Sequence, residues 1–151
     1  MIRRSLATVA LGALAACTGG GMPTSSGGSG GVTVDVNLTL NAPVNTPYGE
    51  SGGYGAPVTT VAVGSQIHFM NTDSFTHTAT LIPNTTKFPK GSPFGLSALM
   101  QHGTTLSGGF SSGALQPGSS SQTITADRAG TYLIGCFFHY GASMRAAIVA
   151  Q

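Results

Sequence analysis

Residues 32–40 alternate between apolar and polar side chains with a period of two. The apolar members are Val32, Val34, Val36, Leu38 and Leu40, and a polar residue stands between each pair. A period of two places one set of side chains on one face of a β-strand, whereas an α-helix needs a period near 3.6. The pattern therefore predicts a strand with one buried face at the start of a folded domain.

Short apolar runs separated by turn residues continue along the chain. They predict strands around 61–63, 67–69, 76–82, 121–125, 131–136 and 145–150. Charged residues make up only 7% of the chain, with one glutamate and two lysines, which excludes a helical bundle because its wet faces need such residues. The 23 glycines and 8 prolines supply turn residues. We predict an all-β sandwich of seven to eight strands.

Two segments lack a strand pattern and are predicted to be loops. Residues 41–56 are rich in glycine and proline and carry two tyrosines, Tyr48 and Tyr54. Residues 83–109 show no clear period, and we expect at most one helical turn there, at 96–100.

The first 16 residues are predicted to be a secretory signal peptide. Arg3 and Arg4 precede an apolar stretch that is too short to span a bilayer. The stretch ends in Leu-Ala-Ala-Cys, which resembles a bacterial lipobox and predicts a lipidated Cys17. Residues 17–31 then form a lipidated, Gly/Ser-rich linker, and residues 32–151 form the domain. The alternative is an ordinary signal peptide that leaves Cys17 as a free thiol.

We expect the protein in the cell envelope, held by its lipid and facing the periplasm, or at the cell surface. Thr18, rather than aspartate, follows the cysteine and favours the outer membrane. Removal of Arg3 and Arg4 leaves four basic and four acidic side chains, so the mature net charge is zero. The chain has no basic stripe for a nucleic acid, and we expect a monomer that meets its partners mainly by apolar contact.

Three metal-ligand residue types share one short connection near the carboxyl end. Cys136, His139 and Met144 lie between two predicted strands, and His77 stands 59 residues before the cysteine. Two imidazoles, a thiolate and a weak axial thioether are the donors of a blue copper site. Such a site holds both copper oxidation states and supports one-electron transfer.

Three segments resemble the cupredoxins, in particular the plastocyanin and amicyanin-like group. They are Phe69 to His77, Gly113 to Gly118, and Gly130 to Met144 with its Cys-x-x-His-x-x-x-x-Met spacing. The resemblance covers residues 32–151 and implies a Greek-key β-sandwich. It also implies one type 1 copper ion, held by His77, Cys136, His139 and, axially, Met144.

The same resemblance implies single-electron transfer between redox proteins, with no enzymatic activity. The electron would leave through His139, in a partner-contact patch with Phe138, Tyr140 and Ala142, to which the loop 41–56 would add Tyr48 or Tyr54. Four protein ligands leave the copper no open position for a substrate, and the chain has no nucleophile-base motif. Thr78 departs from the family, which often has an asparagine there that ties the two ligand loops together.

Several alternatives stay open at this stage. Met144 could be core filler, Cys136 a buried thiol or a disulfide partner of Cys17, and the same ligands could hold zinc. Met100 and His102 could hold a second copper ion, while His68 is expected to face solvent. The main alternative function is a lipoprotein that sequesters or delivers copper, and a metal-free structural module is a third.

Overall fold

The computed structural model describes residues 32–151. The predicted signal peptide, Cys17 and the Gly/Ser-rich linker lie outside these residues. Among the described residues, no helix is long and apolar enough to cross a membrane.

Eleven strands and two short 3₁₀ helices form between residues 32 and 151. The strands are β1 (Thr33–Leu38), β2 (Val44–Thr46), β3 (Gly49–Ser51), β4 (Val58–Val61), β5 (Gln66–Asn71), β6 (Thr80–Ile82), β7 (Gln101–Thr105), β8 (Gly109–Ser112), β9 (Ile124–Thr125), β10 (Gly130–Gly135) and β11 (Arg145–Ala150). The 3₁₀ helices are Leu96–Leu99 and Tyr140–Ala142. The predicted all-β sandwich is confirmed, although it contains more and shorter strands than the seven to eight expected.

Nine strands join in one sheet, in the order β1-β5-β9-β7-β8-β6-β10-β11-β4, and β2 and β3 form a separate hairpin. The pairs β1/β5 and β4/β11 are parallel, so the chain crosses over between them. The antiparallel pair β10/β11 runs in register from Gly130 opposite Ala150 to Gly135 opposite Arg145. The connection between these two strands is residues 136–144, the segment predicted to carry three metal ligands.

The alternation in β1 has the predicted consequence. Val36 and Leu38 are buried, whereas Asp35 and Asn37 face outward. The main core also contains three aromatic rings, with Phe69 stacked on Phe110 at 5.5 Å and Tyr54 edge-on to Phe69 at 6.5 Å. Cys136 and Met144 belong to this same buried cluster, so one end of the core supports both.

The two segments predicted to be loops contain strands. In 41–56, β2 and β3 are three residues long, which is too short for an alternating pattern to show. In 83–109, the expected turn of helix is present at Leu96–Leu99, but β7 and the start of β8 follow it. The pairing of β7 with β8 shifts register between His102 and Thr105. Such an irregularity removes the period-two pattern from the sequence.

Candidate metal centre

The predicted ligands come from the ends of strands. His77 follows the turn after β5 and is held by two backbone hydrogen bonds with Leu115, at 3.1 and 2.8 Å. Cys136 comes directly after β10 and Met144 directly before β11. The Cys136 N–H donates to the Met144 carbonyl at 3.0 Å, and the Met144 N–H donates to the His139 carbonyl at 3.2 Å. These bonds fold the connection 136–144 so that His139 turns back toward the two strand ends.

The donor atoms of His77, Cys136 and His139 converge on one point. All three lie within 4.8 Å of one another. The two Nδ1 atoms are 3.1 Å apart, and Cys136 Sγ lies 3.8 Å from His77 Nδ1 and 3.7 Å from His139 Nδ1. A triangle with these edges has its centre about 2.1 Å from every corner, within the range of about 2.0 to 2.3 Å for protein metal bonds to imidazole and thiolate. The three side chains therefore fit one metal ion.

Met144 is joined through its backbone to Cys136 and His139, two corners of this triangle. Its side chain is fully buried and packs against Gly53, where an added Cβ would come within 2.4 Å of Met144 Cγ. Gly53 has a φ of +73°, which favours glycine. The absence of a side chain at Gly53 therefore lets Met144 pack directly against the backbone there.

Comparison with solved structures shows which fold this is. A purple cupredoxin from Nitrosopumilus maritimus superposes with a TM-score of 0.50 at 17% identity, covering 78% of this chain and 98% of that chain. The chain has a cupredoxin fold. Auracyanin from Roseiflexus castenholzii gives a TM-score of 0.48 at 18% identity, covering 80% and 97% of the two chains. Plastocyanin from Dryopteris crassirhizoma gives 0.47 at 16% identity, covering 78% and 100%. The sequence matches no protein-family model and no curated protein.

Burial shifts the pKa of two donors in this cupredoxin fold, Cys136 and His139. His77 and Cys136 are fully buried, and His139 is half-buried. Burial raises the pKa of the Cys136 thiol, so the thiol must give up a proton when it becomes a metal ligand. Burial, assisted by the nearby His77, lowers the pKa of His139. Because its pKa is lowered, the His139 imidazole stays neutral, with a free lone pair, down to a lower pH than an exposed histidine does.

Thr78 ties the two ligand loops together. Its hydroxyl accepts a hydrogen bond from the Phe137 N–H at 2.8 Å, and its own N–H points at Cys136 Sγ at 3.4 Å. The threonine thus makes a link between the loops at the position where many cupredoxins have an asparagine. Tyr54 supports Thr78 from below, because its hydroxyl donates to the Thr78 carbonyl at 3.0 Å.

Two exposed phenylalanines flank the half-buried His139. Phe138 is 45% exposed and Phe75 is 56% exposed, and each ring centre lies 6.3 Å from that of His139. Ala142 is exposed as well. We call Phe75, Phe138, His139 and Ala142 the His139 patch. No periodic pattern in the sequence marks Phe75 as a surface residue, because it lies in a bend of the chain.

Three tyrosines are predicted to lie at the partner contact, but the structure places them in or against the core. Tyr140 was expected to meet a partner, but it is 1% exposed, and its hydroxyl donates to the Pro89 carbonyl at 3.0 Å. Arg145 lies over its ring at 4.6 Å and Phe94 packs edge-on to it, so the ring is covered. Tyr54 is fully buried in the main core. The half-buried Tyr48 packs against a second, smaller core cluster formed by Ile82, Leu133, Tyr140 and Ala147.

The remaining candidates stand apart from the donor triangle. His102 Nδ1 faces the Met100 carbonyl at 3.1 Å, and both side chains are exposed. His68 is half-buried rather than free in solvent, with Nε2 2.8 Å from the Thr123 hydroxyl. Among residues 32–151, His77, Cys136 and His139 form the one cluster of three or more His, Cys, Asp or Glu donors.

Asp73 belongs to the site but is not among the residues that the sequence predicts for it. Its Oδ2 lies 3.1 Å from His77 Nε2, the ring nitrogen that does not face the triangle. The four-residue spacing to a ligand histidine is the only signal that the sequence holds for this contact.

Proposed function

We propose that this protein is a blue copper electron carrier of the cell envelope. The observation that carries the proposal is the triangle of two imidazoles and one thiolate, buried at the end of a β-sandwich core. When bound, copper supplies a one-electron couple between Cu(II) and Cu(I), for which this donor set is suited. Zinc would fit the same donors, so the metal itself is part of the test.

The surroundings of the donors favour fast electron transfer. His77 and Cys136 are held by a packed interior, which resists displacement of side chains. With Met144 as the axial donor, the protein would supply four ligands and leave the metal no open position for a substrate. These features support a carrier rather than an enzyme.

The His139 patch is the proposed place where redox partners dock. Here alone the buried ligand set reaches the surface, through a half-buried imidazole between two exposed phenyl rings. The four basic and four acidic side chains of residues 32–151 sum to zero, so partner recognition rests on apolar contact.

The electronic spectrum tests the copper assignment. Addition of Cu(II) to the purified protein should give an intense visible band, and a redox titration should be reversible. Cys136→Ser should abolish the band, whereas Met144→Leu should keep it and change the reduction potential. A colourless complex, or one that does not cycle between oxidation states, would contradict the electron-carrier function and favour copper sequestration or delivery.

The envelope location and the lipid anchor are proposed from the sequence alone. Cys17 follows a lipobox-like segment and precedes a Gly/Ser-rich linker, which would let a tethered domain turn toward its partners. Cys17→Ser should move the protein from the membrane fraction to the soluble fraction of the envelope. Retention of that variant in membranes would exclude the lipid as the anchor.

A further inference from the structure

The Asp73 carboxylate lies directly behind the buried ligand His77. Asp73 follows the end of β5, and its side chain is 15% exposed, whereas the His77 side chain is fully buried. Its Oδ2 is 3.1 Å from His77 Nε2. The other ring nitrogen of His77, Nδ1, is the corner of the donor triangle.

Backbone donors hold this carboxylate in place. The Leu40 N–H donates to Oδ2 at 2.9 Å, and the Ser74 N–H donates to Oδ1 at 2.6 Å. Both oxygens of Asp73 thus accept a backbone N–H, as a carboxylate can, and these bonds leave the side chain little freedom to turn.

An ionised carboxylate can only accept hydrogen bonds, so the contact decides which nitrogen of His77 carries the proton. The proton must be on Nε2, and Nδ1 then presents a bare lone pair to the metal. Between residues 32 and 151, Asp73 is the one carboxylate that pairs with a ligand imidazole; the other histidine–carboxylate pair, His68 with Asp35, is outside the triangle.

We propose that Asp73 is a positioning residue for the copper site: it keeps the His77 proton on Nε2, directs Nδ1 at the metal and favours Cu(II) over Cu(I). This inference rests on the copper-binding function proposed above. A fixed negative charge interacts more strongly with a doubly charged ion than with a singly charged one. Reduction adds one electron to the metal, and the proton stays on Nε2 in both states.

The reduction potential of an Asp73→Asn variant tests the electrostatic part. The amide keeps the size of the side chain and removes its charge. We expect the ratio of Cu(II) to Cu(I) affinity to fall about tenfold, which raises the potential by about 59 mV. Asp127→Asn is the matched control, because it also removes one negative charge. Asp127 follows β9, which pairs with Gln66 and Ile67 at the start of β5, whereas Asp73 follows the end of β5. An Asp73→Asn potential that matches the Asp127→Asn potential would overturn the inference.

The protonation of His77 is tested without a variant. In the ¹⁵N spectrum of the copper-free protein, His77 should show a protonated Nε2 and an unprotonated Nδ1. The opposite tautomer would overturn the inference even if Asp73→Asn does not fold. The two proposals fail differently: a wild-type protein that does not cycle with copper contradicts the electron carrier, whereas a cycling protein with an unshifted Asp73→Asn potential contradicts only the role of Asp73.

Discussion

Thr78 and Phe137 are joined by a hydrogen bond in which the Phe137 N–H donates to the Thr78 hydroxyl, with the two atoms 2.8 Å apart. The two residues are neighbours of the ligands His77 and Cys136 but are 59 positions apart in the chain. This bond connects the loop that carries the first histidine to the loop that carries the other ligands.

Replacement of Thr78 by valine should loosen that connection. Valine has the same shape but no acceptor, so the Phe137 N–H loses its partner at a cost of about 1–3 kcal/mol in the free energy of unfolding. Urea unfolding should show the loss, and hydrogen exchange at the Phe137 amide should accelerate. Thr78→Ser keeps the hydroxyl and should keep that amide protected. Equal exchange in the two variants would show that the bond does not hold the loops.

Gly53 should tolerate no side chain, because Met144 occupies the space. In Gly53→Ala the new methyl would meet Met144 Cγ at 2.4 Å. We expect a cost of about 1–2 kcal/mol for the positive φ and about 1–3 kcal/mol for overpacking. The visible spectrum should change too, because the thioether moves.

The variant Gly64→Ala separates the backbone cost of Gly53→Ala from its overpacking cost. Gly64 has a φ of +92°, and an added Cβ would have no neighbour within 4 Å. This variant should therefore lose stability through the backbone alone and keep the spectrum of the wild-type protein. If both variants leave the spectrum unchanged, Gly53 does not set the position of Met144.

Phe138→Ser should slow electron transfer without changing the reduction potential. If redox partners dock at the His139 patch, as proposed, two copies of the protein should exchange electrons through it. The self-exchange rate, measured by NMR line broadening, then needs no named partner. Removing a central contact residue costs about 1 kcal/mol or more, which corresponds to about a fivefold slower rate.

Val63→Ser is the control, because Val63 is 46% exposed and precedes Gly64 in the connection between β4 and β5. The rate should depend only weakly on ionic strength. Equal self-exchange rates for the two variants would show that partners dock elsewhere on the surface.

Asp127 should contribute to stability only while it is ionised. The Ser107 hydroxyl and the Ser107 N–H donate to its carboxylate and lower its pKa in the folded state. The native state is therefore favoured above the unfolded pKa of about 3.9, and that contribution disappears as the pH falls through the folded pKa. Asp127→Asn should be less stable than the wild-type copper-free protein at pH 6, and the difference should shrink below pH 4. Ser107→Ala should behave in the same way. A difference that does not change with pH would rule out the carboxylate as its source.

The strand prediction succeeded where the local pattern was long enough. Residues 32–40 predicted β1, because a six-residue strand with one buried face displays its period in the sequence. The bounds 145–150 match β11, an apolar run in which consecutive residues are buried. The prediction failed for β2, β3, β7 and β8, which are three to five residues long. Their pairing depends on partners elsewhere in the chain, and a register shift at β7 hides the alternation.

The sequence by itself determined the all-β class and the identity of the four candidate ligands. Three of them share one nine-residue segment, and residue type and spacing are local properties that a chain displays before it folds.

Only the tertiary structure decided what surrounds the four candidate ligands. Fold topology brings three pairs of residues together. The Thr78 hydroxyl contacts Phe137, Arg145 covers the ring of Tyr140, and Phe75 lies exposed beside His139. Asp73 is only four positions from His77, yet its role depends on the Leu40 N–H, 33 residues away, which fixes the carboxylate. Side-chain direction and burial are set by packing between distant segments, and no local pattern encodes them.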